Sequence, residues 1–221
     1  MKKISLLTIM VLTVYQSFAQ MPDKLLKAIE GKMVSVDTTS SVDGLIDLAN
    51  SFERMAEAEK SQWLPFYYAA YCKVTAGLMM NSGGDIMSGN AAKTDPIADQ
   101  ADNLLSKAEA LSKDNSEIFI LKKMIATLRL MGDPMNRFMT YGPLGEEALQ
   151  TAIKLNPENP RIYLLQGQDK FFTPEQFGGS KSEAKTLFET AIKKFGTFRP
   201  ETSIHPAWGL PATRYFYSQI Q

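Results

Sequence analysis

Apolar side chains recur along nearly the whole chain at intervals of three and four residues, and almost nowhere at intervals of two. That spacing predicts helices over 22–31, 41–60, 64–81, 97–112, 116–131, 144–155, 160–172 and 181–195, with a weaker one over 207–220. The ends carry matching chemistry. Asp95-Pro96 and Asn159-Pro160 each place a capping side chain before a proline, whose missing N–H costs nothing in a first turn. Asn156-Pro157 closes one helix and Gly196 another. No β-branched run long enough for a strand follows the first twenty residues, so the fold class is all-α.

A repeat runs through these helices. In GEEALQTAIKLNPENPRIYLLQG, Ala152, Ile153, Leu155 and Pro157 are followed by Tyr163 and Gly167. A small residue late in one helix, a proline, then a large and a small residue in the next helix is the order of the tetratricopeptide repeat. Its second-helix signature, small–large–small, recurs as Ala101/Leu105/Ala108, Gly145/Leu149/Ala152 and Ala184/Phe188/Ala191, with Leu48/Phe52/Met55 a looser copy. The expected architecture is a degenerate tetratricopeptide-like array of antiparallel helix pairs, a right-handed solenoid in which each pair buries its apolar face on the next.

First helices starting near Trp63, Ser116 and Pro160 are spaced more widely than the repeat's 34 residues. The surplus falls at the turn inside each pair, over 81–96, 132–143 and 173–181, so three long loops are expected along one edge. Their Gly, Asn, Asp and Pro serve turning. Met87, Met135, Phe138, Met139, Tyr141 and Phe177 do not, and either fold onto a ligand or cap the open edge of the core. Arg137, the one full positive charge of the middle loop, is a candidate for an anionic group or half of a structural ion pair. Arg137, Phe138, Tyr141, Met87, Phe177, Gly178 and Gly179 form the candidate binding set.

The first residues, MKKISLLTIMVLTVYQSFAQ, alter the cellular picture. Lys2 and Lys3 precede a short apolar run, and Ser17-Phe18-Ala19 has small residues where a signal peptidase requires them. A cleaved leader over 1–19 and a single helical domain over 20–221 are expected, with export to the periplasm or beyond. No later stretch is apolar for long enough to span a bilayer. Without its leader the chain carries 22 basic and 24 acidic residues, a formal charge of −2, which does not favour nucleic acid. Cys72, the sole cysteine, has no partner for an internal disulfide and lies in an apolar run, the setting of a buried small hydrophobe.

Catalytic chemistry is sparse. His205, the single histidine, stands in SIHPAWG without a nucleophile motif, and a buried or capping role is expected for it. One His and one Cys far apart do not make a zinc site, and 85–90 lacks the alternating oxygens of a calcium loop. Neither a metal nor a cofactor is expected. The run WLPFYYAAY at 63–71 reads as a helix packed on both sides or as a pocket wall.

The stretch 160–209, with YLLQGQDKFFTPEQFGGSKSEAKTLFETAI and then HPAWG, resembles exported tetratricopeptide-type proteins of Gram-negative bacteria. More faintly it resembles the periplasmic T component of tripartite ATP-independent transporters, through Gly178, Gly179, Ala184, Phe188 and Ala191. That second resemblance implies an oligomeric, pore-pierced helical-repeat protein that meets a solute-binding protein and holds hydrophobic solutes. Together these features predict a non-catalytic binding or scaffolding protein for a partner protein, a peptide or a small apolar ligand. The alternative is a hydrolase whose polar site assembles at the loop-lined edge.

Overall fold

A computed structural model describes residues 21–81 and 89–220; the leader, Met87 and the rest of 82–88 lie outside them. Among the described residues the chain is all-helical, with nine α-helices and no strand. They are α1 (Asp23–Thr38), α2 (Val42–Ala58), α3 (Trp63–Met80), α4 (Ala91–Leu111), α5 (Ser116–Gly132), α6 (Pro134–Leu155), α7 (Pro160–Phe172), α8 (Lys181–Thr197) and α9 (Leu210–Ser218). Each of α2 to α6 packs against the next in sequence, as do α7, α8 and α9, and α3 also reaches α5.

Three expected boundaries move: α1 runs on to Thr38, and α4 and α6 start earlier than their periodicity implies. The second expected loop, 132–143, is helical from Pro134 onward. The Asp133 side chain accepts from the Asn136 N–H, and Pro134 takes the first helical position, where its missing donor costs nothing. Pro143, the last residue of that expected loop, lies inside α6 on an exposed side, where solvent can reach the carbonyl it leaves unbonded. Likewise α4 starts at Ala91 and passes through Pro96, so Asp95 is no cap and its carboxylate is free for another task. The third loop stays a loop around a 3₁₀ turn, Glu175–Phe177. Gly179 is required there, since a Cβ at that position would fall 1.7 Å from the Thr173 carbonyl oxygen.

The small–large–small signatures are core contacts. Ala101, Leu105, Ala108, Leu149, Ala152, Ala184, Phe188 and Ala191 are all buried. Gly167 on α7 opens the space for the Phe188 ring of α8: a Cβ on Gly167 would sit 2.5 Å from Phe188 Cε1. Helix α3 is buried on every side from Leu64 to Val74, which settles WLPFYYAAY as a central packed helix. Cys72 is inside it, and burial pushes its thiol up to about 12. The segment after α8 does not trail on the surface: Ile204 and Trp208 are buried, and α9 docks by stacking Phe216 on Phe188 at 5.9 Å.

An ion pair sits at the centre. Arg161 of α7 is fully buried and meets Glu117 of α5, Nη2 to Oε1 at 2.5 Å and Nε to Oε2 at 3.0 Å. Two of its remaining donors reach the carbonyls of Pro206 at 3.0 Å and Trp208 at 3.2 Å. Glu117 also accepts from Tyr67 at 2.9 Å and from Asn159 at 2.7 Å, and Tyr67 accepts from Trp208 Nε1 at 2.9 Å. Burial works against the Arg161 charge, yet Glu117 outweighs it and holds the guanidinium above its ordinary value.

Breaking such a pair from one side strands a buried charge. Arg161→Met is expected to lower unfolding free energy by about 3–5 kcal/mol, and adding Glu117→Leu to recover much of it, both read by urea denaturation. Gly167→Ala is expected to cost about 1–3 kcal/mol in the same measurement, because the buried Phe188 ring has no room to retreat.

Candidate functional site

Helices α5 and α6 lie side by side and leave a groove of about 310 Å³ between them, closed at one side by Asp102 of α4. Its α5 wall is Phe119, Lys122, Ile125, Ala126 and Arg129; its α6 wall is Tyr141, Leu144, Glu147, Ala148 and Thr151. Both sets step by three or four residues, so each is one helical stripe. The groove therefore has an apolar and aromatic lining in which α5 sets two cations, Lys122 near its middle and Arg129 in its last turn.

Those cations have partners. Lys122 Nζ lies 4.7 Å from the Phe119 ring centroid and 2.6 Å from Glu109 Oε1. Arg129 is held by Asp99 at 2.8 Å and by Asp102. Burial opposes the Arg129 charge, but the two carboxylates outweigh it and raise the guanidinium above its ordinary value.

The expected site residues divide. Arg137 lies on α6 and forms a two-pronged pair with Asp95, at 2.6 and 2.7 Å, while also donating to the Arg129 carbonyl at 3.2 Å. Hydrogen bonding from Arg137 holds the Asp95 carboxyl below its usual range. This is the structural ion pair of the two readings, and it ties the start of α6 to α4 and to the end of α5. Tyr141 lines the groove. Phe138, one turn earlier, is exposed together with Met135 and Met139, so an apolar strip continues from the groove along α6. Phe177, Gly178 and Gly179 lie apart, in the α7–α8 turn, where Gly178 adopts a φ of +93° and Phe177 is exposed. Met87 lies outside the described residues.

Phe119, Lys122, Ile125, Arg129 and Leu144 were not singled out from the sequence. A helical stripe that mixes one ring, two cations and aliphatics reads as an ordinary half-buried face. Only the pairing of α5 with α6 turns it into a wall.

His205 does gather polar neighbours: Nδ1 is 2.7 Å from Thr202 Oγ1, and Nε2 is 3.3 Å from Glu201 Oε2. All three belong to one short turn, the Glu201 side chain is 82% exposed, and none of them lines the groove. The imidazole packs edge-on against Trp63 at 5.8 Å. Among the described residues no cluster of His, Cys, Asp and Glu could hold a metal ion, and no helix is long and apolar enough to cross a membrane.

No family model matches the chain, and no curated protein does. A solved structure, the HusA haemophore from Porphyromonas gingivalis, is similar over 91% of this chain and 96% of its own, at 30% identity and a TM-score of 0.76. The chain belongs to the HusA haemophore family. Coverage of that extent means that the shared HusA fold takes in most of the nine helices, well beyond any single helix pair.

Burial pushes the His205 imidazole below its ordinary 6.5, against the opposing pull of Glu201 and Glu117. The fold thus favours the neutral ring, and the unfolded chain takes up the proton first as pH falls. This contribution is present in full above about pH 6.5 and is lost as pH drops through the lowered folded value. Urea denaturation of the wild type and of His205→Gln should converge as pH falls from about 7.5 to about 5, with the wild type losing more stability.

Proposed function

We propose that this chain is an exported, non-catalytic carrier that holds haem in the α5–α6 groove. The likeness to a haemophore along nearly the full length of both chains carries this reading. The groove's chemistry agrees with it. Haem is a flat apolar ring with carboxylates on one edge, and such a ligand asks for aromatic and aliphatic walls with a few placed cations. Phe119, Ile125, Leu144 and Ala148 offer the walls, and Lys122 and Arg129 the cations. The groove takes part of the macrocycle, and the exposed strip of Phe138 and Met139 extends the apolar bed. The small apolar ligand anticipated from the sequence then becomes a specific one.

Export by the leader over 1–19 suits a protein that meets its ligand outside the cytoplasm. A tetratricopeptide-like stacking of the pairs α3/α4, α5/α6 and α7/α8 is part of the same proposal. It is supported by the sequential packing of neighbours and by the Gly167–Phe188 wedge. In this reading the resemblance of 160–209 to solute-holding periplasmic repeat proteins reflects a shared way of building a concave helical surface.

Absorbance titration of the pure protein with ferric protoporphyrin tests the assignment. A saturable shift of the main absorption band is expected. Leu144→Asp, which places a charge on a half-exposed wall position, should weaken binding by about tenfold or more while leaving the helical circular-dichroism signal intact. An unshifted band in the wild type, or undiminished binding in Leu144→Asp, would move the ligand elsewhere.

A further inference from the structure

We propose that the aromatic face at the C-terminal end of the helical array, made by α7 and α9, docks on an anionic lipid surface. The proposal goes beyond the haem-carrier reading and does not depend on it.

A run of packed helices ordinarily closes with a terminal helix whose outer face is polar. Here the last described helix presents rings instead. Tyr215 of α9 is 60% exposed and Phe172, the last residue of α7, is 52% exposed. They belong to one continuous ridge, since Phe172 meets Phe216 edge-on at 5.4 Å and Phe216 meets Tyr215 edge-on at 5.3 Å. Phe216 in turn stacks on the buried Phe188, so the ridge is anchored in the core and cannot fold away from water. Phe177 adds another exposed ring in the α7–α8 turn. Contiguous rings left in water mark a surface that something covers.

The charges around the ridge favour a lipid surface as that cover. Lys181 lays its ammonium over the Phe171 ring, 3.1 Å from the centroid, and donates to the Phe171 carbonyl at 2.7 Å. Lys185 Nζ lies 5.7 Å from the Tyr217 ring centroid, and Arg214 is exposed beside Tyr215. Lys170 is paired with Glu183 at 2.7 Å, which leaves Lys181, Lys185 and Arg214 without an acidic partner among the described residues. The other acids of this end are Glu175 in the α7–α8 turn and Glu189, which accepts from the Tyr217 hydroxyl at 3.0 Å. Rings on a rigid base, with cations laid over their faces, match the boundary of a bilayer. The rings enter the headgroup layer, while the long basic side chains keep their charges among the phosphates. No helix of the described residues is long and apolar enough to cross a membrane, so this contact is with the surface alone.

The test is co-sedimentation of the purified ligand-free protein with vesicles of phosphatidylcholine alone and of phosphatidylcholine mixed with phosphatidylglycerol. The wild type should bind the mixed vesicles better, and added salt should narrow the difference. Phe172→Ser with Tyr215→Ser should bind the mixed vesicles about tenfold more weakly or worse. Lys181→Gln with Arg214→Gln should lose about tenfold on the mixed vesicles and bind them no better than neutral ones. Glu189→Gln, which removes an acid from this end, should bind the mixed vesicles more tightly than the wild type. All five positions are exposed, and circular dichroism should show the helical signal of each variant unchanged. Three results overturn the proposal: no binding of the wild type to the mixed vesicles, equal binding to both kinds, or binding that survives loss of the two rings. A fourth is a wild-type dimer in sedimentation equilibrium that the ring variant dissolves, which makes a second copy of the chain the occupant of this face.

Discussion

Arg161 and Glu117 hold the molecule's most consequential contact, because it joins parts of the chain that no helix hairpin brings together. Consecutive helices find one another through local packing alone. The guanidinium of α7 instead reaches α5 through Glu117 and the 206–208 segment through two carbonyls. Tyr67 carries the connection into α3 and Trp208, and Asn159 and Ser116 carry it to α6, where Ser116 donates to the Ala152 carbonyl at 3.1 Å. Four of the five guanidinium donors have protein acceptors, and the ring faces of Phe198 and Trp208 lie 4.8 and 5.4 Å away. A buried charge is tolerable only when its hydrogen-bonding capacity is met in this way. Such a network does more to fix which arrangement the helices adopt than to add net stability.

That constraint reaches the groove through α5. Glu117 stands in the first turn of the helix that further along carries Phe119, Lys122, Ile125 and Arg129. At the other end of α5, Arg137 binds the Arg129 carbonyl and Asp95. Helix α5 is thus pinned by ionic networks at both ends, and α6 is fastened to it at both ends too, by Arg137 at its start and by the Ser116–Ala152 bond at its close. A groove between two helices keeps its width only if the helices cannot slide, and these fastenings supply that condition.

Much of this was legible in the sequence, and the remainder failed for definable reasons. The helical period fixes most elements to within a few residues, and Asn159 caps α7 as its sequence neighbourhood implies, accepting from the Arg161 N–H at 3.1 Å. Proline misled in two places. Pro96 reads as the first turn of a helix and Pro143 as the end of a loop, but both lie inside longer helices, and α4 and α6 absorb the missing donors. The apolar residues of 132–143 stood out as unnecessary for a loop, which was sound; they are an exposed helical strip. Tyr141, singled out by that route, lines the α5–α6 groove. Lys122, Arg129 and Phe119 were not singled out, since their place in the groove wall depends on which helix lies opposite. Arg161 was invisible for the same reason: an arginine one residue past a proline in a first turn looks solvated until the 206–208 segment folds over it.

The two kinds of ion pair in this molecule mark a division of labour. Arg161 is enclosed, and any acid offered to it would have to displace Glu117 and two carbonyls from a site without solvent. The groove cations differ. Arg129 is held by Asp99, whose side chain is 69% exposed, and by the half-exposed Asp102; Lys122 is held by a partly exposed Glu109. Pairs at that degree of exposure contribute little stability, because water competes for both members. Under the proposed carrier reading, a ligand carboxylate arriving in the groove exchanges with an acid that turns back into solvent. The side-chain acids meanwhile keep both cations oriented and prevent a bare pair of like charges in the groove wall. Interior salt bridges that cannot exchange define the walls, and surface ones that can exchange line them.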